Sequence, residues 1–160
     1  MDKISIARAN MAHPHVQKDL HDILVEAENV LTSKWKLRYT WTLRTFAQQN
    51  DLYAQGRTRP GRVVTWAKGG ESWHNYGLAV DICLVDETGK MASFNTKADF
   101  DGDAKADWIE VVALFKKRGW EWGGDWPIEK RDMPHFQKTF GLSIAQAKKK
   151  VRPNERYIDL

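Results

Sequence analysis

Hydrophobic and polar positions change period several times along this chain. Over about 15–30, Val16, Leu20, Ile23, Leu24, Ala27 and Leu31 recur at helical spacing and give one apolar face. In KWKLRYTWTLR the period falls to two. Trp35, Leu37, Tyr39, Trp41 and Leu43 alternate with Lys36, Arg38, Thr40, Thr42 and Arg44, which predicts a strand with Arg44 at its end on the polar face. A helix should come next, with Thr45 as N-cap, Gln48 completing a capping box and a stop at Gly56.

The stretch 56–72 is rich in Gly, Arg and Lys and reads as a loop with a short apolar piece at Val63 and Val64. HNYGLAVDICLV then predicts a turn at Gly77 and a strand. Leu78, Val80, Ile82 and Leu84 point one way, and Ala79, Asp81 and Cys83 the other. Trp108, Val111, Val112 and Phe115 form the stripe of a helix over about 107–118, with Asp107 as N-cap, Glu110 at N3 and Gly119 as its end. GWEWGGDW reads as strand then turn, and HFQ after Pro134 as a short strand. SIAQAKKK reads as a last helix capped by Ser143 and Gln146. Strands and helices are interspersed without parallel crossover units. The expected fold class is α+β, an antiparallel sheet with helices packed on its apolar face and a polar face left to line a cleft.

Length sets one domain over 1–160, long enough to bury a core without staples. The single cysteine, Cys83, excludes an intramolecular disulfide and lies in an apolar stretch, so it reads as a buried small hydrophobe. No repeat, linker or low-complexity tract marks a second module, so no second domain is expected. The N-terminal residues do not form a secretory signal, and no apolar run approaches the ~18 residues of a membrane span. The expected product is made in the cytoplasm, without membrane insertion, and works as a monomer. The net charge of +4 favours anionic partners but does not choose among nucleic acid, acidic polymers and acidic peptides. Eight tryptophans are expected mainly as core filling.

Candidate chemistry begins with Asp81. An acid in an apolar strand is costly unless it is paired or metal-bound. Arg44 or another cation could pair it. Alternatively, His74, seven residues earlier, could join it on a metal, since imidazole and carboxylate are both ordinary zinc ligands. In DMPHF, Pro134 keeps the preceding residue extended, so Asp132 and His135 sit on a bent, non-helical segment. His135 would complete two histidines and one carboxylate, the count of a catalytic zinc site with one open position. Asp132 is then either a turn-former before proline or the general base such a site needs.

In DFDGDAKAD, Asp99, Asp101 and Asp103 alternate as in the first half of a calcium loop. The glycine falls at the fourth position and no glutamate stands at the twelfth, so this is not an EF-hand. A solvated acidic turn is the preferred reading, with a weaker calcium site left open. The basic segment KKKVRPNER reads as a solvated tail.

ESWHNYGLAVD resembles the Ser-x-His-x-x-Gly-x-Ala-x-Asp motif of the LAS peptidases, and DMPHFQ resembles their second motif. LRTFAQQNDLYAQGRTRPG, ADFDGDAKADW and EWGGDW are similar in order and spacing to blocks of the L-alanyl-D-glutamate endopeptidases of phage lysins and bacterial wall hydrolases. The resemblance covers nearly the whole chain and implies a hedgehog/DD-peptidase-like α+β fold. It implies zinc held by His74, Asp81 and His135, and Asp132 as acid and base. It makes Arg44 the group steadying the substrate carbonyl and the developing oxyanion, and Ser72 a substrate or supporting contact. One departure is Thr42-Leu43 before Arg44, where relatives often show Gly-Tyr. The implied substrate is bacterial peptidoglycan, not nucleic acid, cut between L-alanine and D-glutamate. A D-alanyl-D-alanine carboxypeptidase is the alternative within the family. The expected setting is a phage endolysin, released to the wall through a membrane hole made by a partner protein.

Overall fold

The computed structural model describes all residues from Met1 to Leu160. Five helices and five strands succeed one another as α1 (Lys3–Met11), α2 (Pro14–Val30), β1 (Lys36–Trp41), α3 (Phe46–Ala54), β2 (Ala79–Val85), β3 (Ala92–Ser93), α4 (Asp107–Lys116), β4 (Glu121–Trp122), β5 (His135–Gln137) and α5 (Ile144–Lys149). The sheet runs β1-β2-β5-β4, with β3 also on β2, and all its pairs are antiparallel. This is the expected α+β architecture. No helix is long and apolar enough to cross a membrane.

β2 is the central strand and is buried along its length except at Asp81, which is half-buried. Val80, Ile82 and Leu84 face a core shared with Val16, Leu20, Ile23 and Leu24 of α2 and with Trp108, Val111 and Phe115 of α4. Phe136 of β5 stacks on Phe115 with ring centroids 4.0 Å apart, which seats α4 on the sheet. Cys83 is buried as expected. The tryptophans divide: Trp108, Trp120 and Trp122 fill the core, whereas Trp41 and Trp66 are exposed.

Two sequence expectations need correction, and one helix went unread. The helix α1 was not visible in the hydrophobic pattern, because it buries only Ser5 and Ala9, too small a stripe to read. Asp2 caps it through the Ser5 amide at 3.0 Å and pairs with Arg38 of β1 at 2.7 Å. The N-cap of α4 proves to be Ala106, without a side-chain cap bond, and Asp107 is the first helical residue. β1 ends at Trp41 rather than running to Arg44. Its register on β2 shifts between Tyr39 and Trp41, two residues of β1 spanning one step from Ile82 to Asp81. An extra residue in one strand reverses the facing of the residues beyond it. Past the bulge Trp41 is exposed, and Thr42 and Arg44 are buried. The remaining caps hold as read: Thr45 with Gln48 and Ser143 with Gln146 form full capping boxes, and Gly56, at φ 77°, stands just after α3.

Candidate metal centre

His74 lies in a short 3-10 turn, Trp73–Tyr76, between the long loop after α3 and the start of β2. Ser72 caps that turn, its hydroxyl accepting from the His74 amide at 3.3 Å. Gly77 closes it at φ 68°, where a Cβ would stand 2.6 Å from the backbone nitrogen of His13. Asn75 ties the turn to its surroundings. Its side-chain oxygen accepts from the amides of Gly70 and Ser72, and its nitrogen donates to the carbonyl of Arg44 at 3.0 Å. The Arg44 amide in turn donates to the carbonyl of His74 at 2.9 Å. Backbone thus fixes Arg44, Ser72 and His74 as one unit.

Asp81 faces His135 directly across the β2–β5 pair. Nε2 of His74 lies 3.1 Å from Oδ1 of Asp81, and Nδ1 of His135 lies 3.0 Å from the same oxygen. The outer nitrogens are committed elsewhere: Nδ1 of His74 donates to the carbonyl of Thr42 at 2.8 Å, and Nε2 of His135 to Oε1 of Gln137 at 2.9 Å. With those tautomers, both inner nitrogens point lone pairs at the Asp81 carboxylate. Such outer partners are the usual means by which metal-binding imidazoles are oriented. Two lone pairs and a carboxylate oxygen this close need positive charge among them. A tetrahedron with ~2.0–2.1 Å bonds has edges of about 3.3 Å, so the spacing fits zinc. Burial works against the charged form of Asp81, yet the two imidazoles, when protonated and donating to it, outweigh burial and hold the carboxyl well below the usual carboxylate range; a bound cation would supply the same positive charge to the neutral rings. Arg44 makes no ion pair with Asp81; the partners of Asp81 are the two imidazoles, and the three side chains together form a group that could hold a metal.

The three residues open onto a cleft of about 280 Å³ shared with Arg44, Ser72, Asp132 and Trp41. Asp132 is exposed to the cleft, yet the protein around it removes enough water to push its carboxyl above the usual range. Asp81 adds to that push and the two histidines oppose it. Its loop is held by the backbone of the EWGGDW block. The Asp132 amide donates to the carbonyl of Gly123 at 3.0 Å, and a Cβ on Gly123 would stand 2.4 Å from the Asp132 carbonyl oxygen. Gly124 lies against the Trp122 ring, where a Cβ would stand 2.2 Å away. Trp122 itself donates to the carbonyl of Met133 at 2.8 Å. These glycines therefore serve the loop that carries Asp132 and His135.

Arg44 is buried beneath Trp41, its guanidinium 5.1 Å from the ring centroid. Its Nη1 donates to Gln49, and Gln49 is held by Thr65 and the carbonyl of Ala67. The Arg44 Nε has no partner in the protein. Burial lowers its pKa from the usual arginine value, Asp81 opposing. A larger, mostly apolar groove of about 580 Å³ adjoins across Trp41 and Arg44, between the start of α3 and residues 151–158.

The structure thus brings together all six candidates, His74, Asp81, His135, Asp132, Arg44 and Ser72. Sequence reading missed the residues that orient them: Thr42, Gln49, Asn75 and Gln137. For Gln137 the signal was alternation with His135 on one strand face. For Thr42 there was none, since it acts through its carbonyl.

Residues 65–138 match the family described as D-alanyl-D-alanine carboxypeptidase, of the M15 peptidases. That span takes in His74, Asp81, Asp132 and His135. The chain is also similar to the peptidoglycan L-alanyl-D-glutamate endopeptidase CwlK of Bacillus subtilis (strain 168). The two are 41% identical over 127 residues, 76% of this chain and 75% of that protein.

Proposed function

The chain belongs to the LAS-type peptidases of the D-alanyl-D-alanine carboxypeptidase family, and on that premise we propose that it is a peptidoglycan hydrolase. It cuts the stem peptide between L-alanine and D-glutamate, with zinc on His74, Asp81 and His135. The observation that carries this reading is the convergence of two oriented imidazoles and one carboxylate at 3.0–3.1 Å in a cleft that also holds Asp132 and Arg44. The endopeptidase specificity is supported by the likeness to CwlK over most of both chains.

Zinc supplies a Lewis acid for the scissile carbonyl and lowers the pKa of a water toward ~7. Asp132, its carboxyl raised by burial, takes the proton of the attacking water and passes it to the departing amine. Arg44 donates to the carbonyl oxygen as charge develops there. It is suited to this because Gln49 fixes one nitrogen of the fork while Nε is left without a protein partner. Ser72 keeps the His74 turn in place and lines the substrate cleft. The adjoining apolar groove gives the rest of the wall peptide room beyond the reacting bond. The setting we propose is a phage endolysin acting as a monomer on the wall after release from the cytoplasm.

The test is digestion of purified peptidoglycan by zinc-loaded protein, with mass spectrometry of the products. New N-terminal D-glutamate or D-isoglutamine is the expected result. Released D-alanine would assign the carboxypeptidase activity instead. Soluble fragments of neither kind would remove the wall peptide as substrate.

A further inference from the structure

Away from the metal centre, the loop before α4 and the first turn of that helix gather Asp99, Asp101, Asp103, Asp107 and Glu110. One oxygen each from Asp99, Asp101 and Asp107 lies within 4.8 Å of the others, and the same holds for Asp101, Asp103 and Glu110. Lys105 pairs with Asp103 at 3.3 Å, leaving the cluster strongly negative.

Acidic surface turns are common and are usually satisfied by water. The inner side of this one is not. Asp107 is fully buried; its Oδ1 accepts the Phe100 amide at 2.9 Å, and its Oδ2 has no hydrogen-bond partner. Oδ1 of Asp101 and Oε2 of Glu110 are also buried and unpartnered. Asp101 is meanwhile fixed at its other oxygen by the amide and hydroxyl of Thr32, each at 3.0 Å. Asp99 is fixed by the amides of Gly102 and Ala104. Preorganised carboxylates that face one another with buried free lone pairs are the arrangement a cation satisfies. Burial, with Asp101 and Asp99 adding to it, pushes the Asp107 carboxyl above its usual range, and burial together with Asp103 does the same for Glu110.

We propose that this cluster is a calcium site, with Asp99, Asp101 and Asp107 as ligands and with Asp103 and Glu110 extending the set through Asp101. The donors are all oxygen, which selects a hard cation over zinc. They come from an irregular loop and a helix turn, and calcium accepts irregular sets of six to eight oxygens at which magnesium's octahedral demand fails. The bound ion joins the loop to α4 and, through Thr32, to the end of α2. It holds one edge of the core without touching the zinc ligands.

The test uses the zinc-loaded protein in calcium-depleted buffer, titrated with calcium chloride by calorimetry and followed by thermal melting. Trp35 stacks on Phe100 with centroids 4.2 Å apart, so tryptophan emission gives a local readout. The expected result is one saturable site, a raised melting temperature and a change in emission, with magnesium at least about tenfold weaker. Asp101→Asn and Asp107→Asn should lose the heat, and His135→Ala should keep it. If Asp107→Asn does not fold, Asp101→Asn, at a less buried position, carries the comparison. No saturable heat at millimolar calcium overturns the proposal, as do equal heat in Asp101→Asn, equal affinity for magnesium, or loss of the heat in His135→Ala. None of these readouts depends on the peptidase activity.

Discussion

Arg44 and Gln49 are bound to each other, Nη1 of the arginine donating to the amide oxygen of the glutamine at 3.0 Å, and both side chains are buried. The N-terminal turn of α3 thereby reaches under the cleft and sets the direction of the guanidinium. Gln49 does not line that cleft, so any effect it has on the chemistry would pass through Arg44. Removing Arg44 itself (Arg44→Ala) should lower kcat by on the order of 10²–10³, the usual cost of losing one preorganised oxyanion donor. Gln49→Leu should lower kcat by roughly tenfold while leaving zinc content unchanged, because the arginine remains but is less well aimed. Steady-state kinetics on a defined muropeptide, with metal analysis, checks both. A Gln49→Leu enzyme with unaltered kcat removes the positioning role.

Asp132 is not among the three groups at 3.0–3.1 Å spacing, yet it opens onto the same cleft. Asp132→Asn should therefore keep one zinc per chain and lose roughly 10²–10⁴ in turnover, the range for a positioned acid or base. Loss of zinc in that variant would make Asp132 a ligand rather than a proton carrier.

The backbone beneath Asp132 gives a more remote test. A methyl group on Gly123 would stand 2.4 Å from the Asp132 carbonyl oxygen, so the loop must move in Gly123→Ala. The strain should cost about 1–3 kcal/mol of stability. Because the displaced segment also leads into His135, turnover should fall by more than the change in folded fraction explains. Thermal melts beside kinetics at a temperature where both proteins are folded separate the two effects.

Much of this was legible in the sequence because it was local. Capping boxes at Thr45 and Ser143 depend on residues three apart, and the faces of β2 depend on alternation. His74 and Asp81 stand out as candidates because an acid in an apolar strand and a histidine before a glycine turn are conspicuous, but their grouping with His135 rests on the resemblance to the LAS motifs. The features that could not be read depended on one residue too many or on backbone atoms. The bulge between Tyr39 and Trp41 turns Arg44 inward, against simple alternation from Leu37. Thr42 orients His74 through its carbonyl, which any residue possesses. α1 buries serine and alanine against the sheet, and such a face carries no hydrophobic stripe. Asp107 looked like a cap because its type and position suit one; its burial among other acids is a tertiary fact.

Stability at low pH should depend visibly on the link between α2 and the end of α4. Glu26 binds Arg118 and Lys117, and these hydrogen bonds, Arg118 first, lower its pKa to about 2 from 4.5. A carboxylate whose folded pKa is depressed binds fewer protons folded than unfolded. Its stabilising contribution is therefore fully present above pH 4.5 and is lost as pH falls through 4.5 toward about 2. Asp2 adds in the same direction: burial raises its pKa, but the bonds from Arg38 and Ser5 outweigh it and leave the carboxyl below the usual value. Glu26→Gln should thus melt lower than the parent at neutral pH, and the gap should close steadily below pH 4.5. Neither contact involves His74, Asp81 or His135, so metal content at neutral pH should be unchanged. Melting curves from pH 7 to pH 2.5 decide the point. A gap that stays constant across that range would show that Glu26 acts through packing rather than through its charge.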